Sequence, residues 1–441
     1  MKTYSSAGVE KYITLGFLSL IVAGTLLLCV SCFIGDFFIT PLDALFLSAS
    51  AVCVTGFSPV GPIAELPLSA QIILLSLVQL GGIGIMGAAA LMAFMTGQKL
   101  QLKQRLFIAT EMGVDSPMQV LRLLKFVAVY TALFESSGTL VLFFAFKSDG
   151  MGAGTALYYA VFHSVSAFCS GGFSLYPGSF EVFSSTVTVP AVSMTLMLVG
   201  GIGFPLMSEL RDRRLGRITF LSPYAKIVLL STAVFTAAGT VLYAISEWNA
   251  AFSGLPVWSR LWNALFASVS ARGGGFYMAD YSRWSTEGLM ATLFLMFIGG
   301  APFSTAGGLK VTTFAILLLA AASELKQEED IVVYSRKIPF ATVRRALALA
   351  FIHIITLFIA VGALLTLESF PFGSLIFDAV SALGTSGLSS GITQSLSSAG
   401  KIVLILLMFW GRVGILTFSY SLVRRERMGN VRFPDTNIPM G

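Results

Sequence analysis

The chain has 441 residues, of which 56% are hydrophobic and only 11% charged, and its formal net charge is +6; the mean hydropathy is +0.84. Such a composition is too apolar for a soluble fold and describes a polytopic membrane protein. The basic balance argues against a nucleic-acid partner, because the lysines and arginines are spread along the chain rather than gathered on one face.

Lys2 and Lys11 precede an apolar run from about 13 to 34, which lacks a small-residue cleavage site and reads as a retained first span. Cys29 and Cys32 form a C-x-x-C inside that run with no supporting ligands, so they read as packing residues. Next comes Phe46 to Phe57, F-L-S-A-S-A-V-C-V-T-G-F, whose helical part is too short to cross a bilayer. A second apolar run follows at about 68 to 95 and leads into a basic loop, 97 to 126.

The same three parts return three times. Leading runs lie at about 124 to 146, 223 to 246 and 344 to 367, and second runs at about 186 to 208, 288 to 322 and 399 to 421. Between them stand Phe162 to Phe173 (F-H-S-V-S-A-F-C-S-G-G-F), Phe266 to Phe276 (F-A-S-V-S-A-R-G-G-G-F) and Phe377 to Leu388 (F-D-A-V-S-A-L-G-T-S-G-L). The last glycines of the four stretches, Gly56, Gly172, Gly275 and Gly387, are 116, 103 and 112 residues apart, the mark of a repeated supersecondary unit. A second motif keeps the same register: Gly81-Gly82-Ile83-Gly84, Gly200-Gly201-Ile202-Gly203, Gly299-Gly300-Ala301-Pro302 and Gly411-Arg412-Val413-Gly414. Its first copy, extended to Gly87, matches G-x-G-x-x-G, but no strand precedes it, so a dinucleotide site is rejected. Small residues here allow close helix approach or a break.

The expected fold is therefore an all-α polytopic membrane protein of four parallel repeats, each a span, a re-entrant pore loop and a span. That makes eight spans around a pseudo-fourfold pore. Repeat boundaries fall at 1–97, 98–210, 211–323 and 324–421, with a tail at 422–441. Of the 28 Lys and Arg, 21 fall in the N-terminal segment, the loops 97–126, 209–226 and 323–345, and the tail, and by the positive-inside rule these and both termini face the cytoplasm. Lys147, Arg260, Arg272, Arg283 and Lys401 fall on the other side.

Non-helical backbone at membrane depth must be buried in protein or line a water-filled cavity, so four glycine-ended re-entrant segments should converge on one axis. Their short helices aim partly negative carboxyl ends at that axis, which suits a cation. Val54-Thr55-Gly56-Phe57-Ser58 aligns with the T-V-G-Y-G potassium filter, in which carbonyl rings replace the hydration shell. The corresponding filter residues are Ser170, Gly171 and Gly172; Gly273, Gly274 and Gly275; and Thr385, Ser386 and Gly387. The second glycine of that filter is missing from every copy, which predicts fewer ion sites and weaker discrimination. Gly299 to Gly308 packs four glycines and Pro302 into ten residues and cannot hold a regular helix. Ser304 and Thr305 could satisfy the freed backbone there.

With these motifs, and above all G-G-A-P-F-S-T-A-G-G-L-K-V-T-T from Gly299 to Thr313, the chain resembles the TrkH/KtrB/HKT superfamily of potassium transporters. The absence of an extra N-terminal helix pair makes it most similar to the KtrB branch, the membrane subunits of Ktr uptake systems. The resemblance implies a K+ filter built from backbone carbonyls and an intramembrane loop, matching 299–309, that occludes the pore below it. Gate residues are then Gly299, Gly300, Ser304, Thr305, Gly307, Gly308, Lys310 and, beside the loop, Arg412. It also implies a homodimer with one pore per protomer, a separate cytoplasmic RCK-type ring resembling KtrA, and residence in the cytoplasmic membrane. No cofactor is expected in this chain: the regulatory nucleotide would be bound only by the partner, and sodium is a second candidate ion. Bulky Phe303 departs from the family's Gly/Ser/Thr-rich loop.

Three buried ionisable positions have more than one reading. Arg412 can oppose a resting cation or simply tie helices together, and Glu135 is a candidate partner for Arg412 or Lys310. His163 and Asp378 share one column of the repeat and read as hydrogen-bonding groups behind the filter. Gly384-Thr385-Ser386-Gly387 matches the G-x-S-G of intramembrane serine proteases, with His353 on a neighbouring run as the base. The other three units read V-T-G, G-G-G and S-G-G at that place, so catalysis is not expected. A cation-coupled secondary transporter (K+/Na+ or K+/H+ symport) is the stronger rival, although such proteins commonly carry inverted rather than parallel repeats.

Overall fold

A computed structural model describes residues 7–84, 120–328 and 330–414. Most of the loop 97–126, the ends of the runs 68–95 and 399–421, and the tail 422–441 lie outside the described residues. Helix α1 (Ala7–Ile34) is followed by α2 (Pro41–Val52) and α3 (Leu68–Ile83). Next come α4 (Val120–Ser148), α5 (Ala153–Phe168), α6 (Thr188–Gly201) and α7 (Phe204–Arg214), then α8 (Pro223–Ser246), α9 (Val257–Ser270), α10 (Thr286–Phe297) and α11 (Val311–Leu325). A small antiparallel hairpin, β1 (Val332–Val333) with β2 (Arg336–Lys337), leads to α12 (Phe340–Leu367), α13 (Phe372–Gly384) and α14 (Ser398–Val413).

The leading runs form the long helices α1, α4, α8 and α12. Their apolar segments of 21, 24, 24 and 28 residues exceed the roughly 20 needed to cross the hydrocarbon. They expose large apolar side chains such as Leu26, Leu133, Val241 and Phe358, a surface that lipid tolerates and water does not. Helices α2, α5, α9 and α13 have 12, 16, 14 and 13 residues and cannot span. Local chemistry starts them: Pro41 follows the N-cap Thr40, whose hydroxyl accepts from Asp43 N at 3.1 Å, and Pro256 and Pro371 precede α9 and α13. They are deeply enclosed, with Phe46–Thr55 and Phe377–Ser386 buried without interruption.

In the first, second and fourth units the short helix packs between its two neighbours in sequence, in the third it packs on the leading helix, and the units then join head to tail. Helix α3 packs on α5, α6 on α9, α10 on α13, and α14 returns to α2, so four sequential units close into a ring. An ion pair between Lys401 of α14 and Asp43 of α2, 2.7 Å long and mostly buried, seals that closing contact.

The predicted second runs are not continuous helices. Helices α3, α6 and α14 stop at Gly84, Gly203 and Gly414, whose φ values of 87°, 89° and 86° lie in the left-handed half of backbone space that glycine enters freely. Helices α6 and α7 meet there at 97°. In the third unit Pro302 occupies the same place, and α10 and α11 are separated by a loop, 298–310, where a break was expected. The first glycine of the first, second and fourth motifs has a different task. A Cβ on Gly81, Gly200 or Gly411 would overlap the carbonyl oxygen of Val52, Phe168 or Leu383, the last turn of the same unit's short helix. Glycine thus lets the second helix lie directly on the carboxyl end of the first.

Candidate functional site

The four glycine-ended stretches meet inside this ring. A Cβ on Gly56 would stand 2.7 Å from Gly171 O; on Gly172, 2.8 Å from Gly275 Cα; on Gly275, 2.9 Å from Ser386 O; and on Gly387 it would overlap Thr55 O. Each unit therefore touches the next, and the ring closes from the fourth to the first. All four glycines have positive φ: 101°, 67°, 73° and 79°. So do the residues two positions earlier, Val54 (57°), Ser170 (60°), Gly273 (115°) and Thr385 (49°). A β-branched residue in this conformation is a genuine outlier. The sequence flagged the glycines but not Val54, Ser170 or Thr385 as left-handed positions, because no local preference of valine, serine or threonine signals it.

The motif F-x-S/A-A/V-S-A supplies the support. Its invariant serine reaches from the short helix to the glycine turn in every unit. Gly56 N donates to Ser50 Oγ (3.1 Å), Ser166 Oγ donates to Phe173 O (2.9 Å), Ser270 Oγ donates to Phe276 O, and Ser381 Oγ meets Ser386 Oγ (3.0 Å). Two residues earlier, Ser48, Ser164 and Ser268 donate to the carbonyls of Ile21, Glu135 and Thr236 on the leading helices, at 2.8, 2.7 and 2.8 Å. Sequence reasoning found this motif by its recurrence and assigned these serines no task.

His163 and Asp378 tie the chain beyond the turn back to the short helix. Leu175 N donates to His163 Nε2 (3.2 Å), which places the ring proton on Nδ1, where it donates to Tyr159 O (2.7 Å). The Asp378 carboxylate accepts from Ser389 Oγ, Ser390 N and Thr393 Oγ1 at 2.8–2.9 Å. Ser386 Oγ faces Ser381, and His353 Nδ1 lies against Leu349 O (2.9 Å), so Ser386 and His353 do not pair with each other.

Beneath the ring lies the loop between α10 and α11. Its two ends are zipped together by Gly299 N to Leu309 O (2.9 Å) and Val311 N to Gly300 O (3.1 Å). Neighbouring units hold its sides. Ala301 N and Thr305 N donate to Gly201 O and Gly200 O (3.0 and 3.2 Å), Phe204 N donates to Phe303 O (3.1 Å), and Gly308 N donates to Gly411 O (3.3 Å). Its apex, Thr305-Ala306-Gly307, reaches the ring: Thr305 Oγ1 meets Ser170 Oγ at 2.9 Å and Gly307 N donates to Thr385 Oγ1 at 3.0 Å. Phe303 adopts φ 58° and leaves its side chain 38% exposed, so its bulk lies away from the buried apex.

Arg412 takes the place that glycine holds in the other three copies of its motif, and its guanidinium bridges units. It donates to Thr305 O on the loop and to Gly81 O and Gly82 O (3.2 Å to the latter) at the carboxyl end of α3, where a cation complements the helix dipole. Lys310 Nζ donates to Ala306 O (2.7 Å). Both cations therefore rest on carbonyls of the structure around the loop. Glu135 receives a hydrogen bond from Gln79 Nε2 (3.2 Å) and faces the Cys169 thiol, so the ammonium of Lys310 is not its partner.

Long apolar helices outside and four converging glycine turns inside define a polytopic membrane protein whose re-entrant segments meet at its centre. The chain belongs to the TrkH family of cation transport proteins, which matches residues 17–428. It is 32% identical to the Ktr system potassium uptake protein B of Bacillus subtilis (strain 168), over 91% of this chain and 89% of that protein. It is 33% identical to the protein of the same name from Vibrio alginolyticus, over 99% and 96%. It is also 32% identical to the potassium/sodium uptake protein NtpJ of Enterococcus hirae, over 91% and 90%. The crystal structure of the potassium transporter TrkH from Vibrio parahaemolyticus shares the fold, with a TM-score of 0.75 and 21% identity over 96% of this chain and 86% of that one.

Proposed function

We propose that this chain takes up potassium across the cytoplasmic membrane through a single pore on the axis of the glycine ring. The observation that carries the reading is the ring itself: four backbone segments with paired left-handed residues, closed unit to unit in the interior of a membrane protein. Such backbone turns carbonyls toward a common axis, where they can replace the hydration shell of a monovalent cation. The filter is Val54–Gly56, Ser170–Gly172, Gly273–Gly275 and Thr385–Gly387, and the loop 299–309, held by Arg412 and Lys310, closes the path below it.

The units are those of the sequence reading, 1–97, 98–210, 211–323 and 324–421, giving eight spans with both termini and the tail 422–441 in the cytoplasm. The chain works as a homodimer under a separate cytoplasmic RCK-type ring that binds the nucleotide, and the naming of two relatives as parts of a Ktr system supports a multi-subunit assembly. Sodium acts as a second ion, a reading supported by the printed name of the enterococcal relative. The test is rubidium uptake by the purified chain in liposomes, with and without sodium. Uptake above that of empty vesicles, competed by potassium, is expected; none in either condition refutes the reading.

A further inference from the structure

We propose that Ser170 and Thr385 are positioning residues that latch the intramembrane loop to the underside of the glycine ring. This inference rests on the reading above, that the ring is the ion path and the loop its obstruction. In the ring each unit's glycine turn lies against those of its sequential neighbours, which sets the second and fourth units on opposite sides of the axis. Their left-handed residues two positions before the ring glycine, Ser170 and Thr385, carry hydroxyls that grip the two sides of the loop apex: Ser170 Oγ on Thr305 Oγ1 and Thr385 Oγ1 on Gly307 N. Between these grips, Ala306 fits beneath the third unit, where a Cβ on Gly273 would stand 2.9 Å from that of Ala306.

The repeat supplies its own control. Val54 adopts the same left-handed conformation in the first unit without a hydroxyl, and Gly273 does so without a side chain. The backbone turn therefore needs no hydroxyl, and the hydroxyls at Ser170 and Thr385 serve something else. What they touch is the loop, 135 and 78 residues away in sequence. The uncommon conformation recurs in all four units, and at two of them it also carries the hydroxyl by which the filter meets its obstruction. Because one hydroxyl belongs to each side of the axis, the loop cannot leave without releasing both bonds, and anything that shifts the ring biases the loop reciprocally.

The test uses the full chain in liposomes without any partner, comparing Ser170→Ala, Thr305→Val and Thr385→Val. Rubidium uptake gives one readout, and hydrogen exchange of the 303–309 amides gives a second that needs no transport. Each single variant should raise both about fivefold, the weight of one neutral hydrogen bond. Ser170→Ala with Thr305→Val removes the same bond twice and should give no further rise, whereas Ser170→Ala with Thr385→Val removes two independent bonds and should give about 25-fold. Unchanged exchange in all three single variants overturns the latch, as does multiplication of the Ser170 and Thr305 effects. If the unsubstituted chain carries no rubidium yet the exchange pattern holds, the transport reading fails and the latch stands.

Discussion

Replacing Gly172 with alanine tests the ring at its narrowest logic. Two costs fall on one methyl group. The residue has φ 67°, where an L side chain costs about 1–2 kcal/mol. The new Cβ would also stand 2.8 Å from Gly275 Cα and 3.4 Å from Gly274 O. Those neighbours are backbone and cannot rotate aside, so overpacking adds about 1–3 kcal/mol. The sum, about 2–5 kcal/mol, is smaller than the usual stability of a folded domain, so the variant should still fold. Concentrated on the ring, however, it should cut rubidium uptake at least about 30-fold, since 1.4 kcal/mol is a factor of ten. The matched control is Gly154→Ala on the first turn of the same short helix, where nothing lies within 4 Å of the new methyl group and φ is not left-handed. It should transport within about twofold of the unsubstituted chain, as surface substitutions away from special features shift little. Uptake in proteoliposomes with sodium competition, alongside a thermal melt in detergent, separates the outcomes. A folded Gly172→Ala chain with normal uptake and normal ion order would refute the idea that the ring is the ion path.

Other expected outcomes follow from the same contacts. Ser166→Ala strips the buried Phe173 carbonyl of its 2.9 Å donor, at about 1–3 kcal/mol, and should let sodium compete better for rubidium uptake; unchanged competition would mean that the serine column does not shape the filter. Lys401→Met leaves Asp43 unpaired at the contact that closes the ring and should lower the melting temperature, with recovery in the exchanged pair Asp43→Lys/Lys401→Asp; no loss on melting would show that the closure rests on packing alone. Deleting 302–307 should raise rubidium flux and weaken its dependence on the cytoplasmic partner. A deletion that inserts normally and conducts no faster makes the loop structural.

Much of the architecture was legible in the chain because it is written in local signals. Hydropathy and run length mark α1, α4, α8 and α12, since a bilayer imposes a fixed minimum on an apolar helix. Recurrence marks the four glycine turns, because a backbone angle that only glycine adopts cheaply leaves a glycine at a constant place in each unit. The break in the third second run was readable for the same reason, from the density of glycine and proline between Gly299 and Gly308. The breaks at Gly84, Gly203 and Gly414 were left open, because the glycines of those motifs are compatible with either close helix approach or a helix end.

What only the tertiary structure decided is who meets whom across units. Ser170 finds Thr305, Thr385 finds Gly307, and Arg412 spans from the loop to the carboxyl end of α3; these partners lie 78 to 331 residues apart and obey no local spacing. The left-handed conformation of Val54 and Thr385 belongs to the same class: their intrinsic preference is extended backbone, and it is overridden because the short helix behind and the neighbouring turn beside leave the chain no other path. Sequence by itself determined that a glycine-ended stretch recurs four times and where each turns, because those are properties of single segments. The closed ring, the loop beneath it and the hydroxyls joining the two exist only once four segments are brought to one axis, because a hydrogen bond is directional and its partner is chosen by position in space rather than by position in the chain.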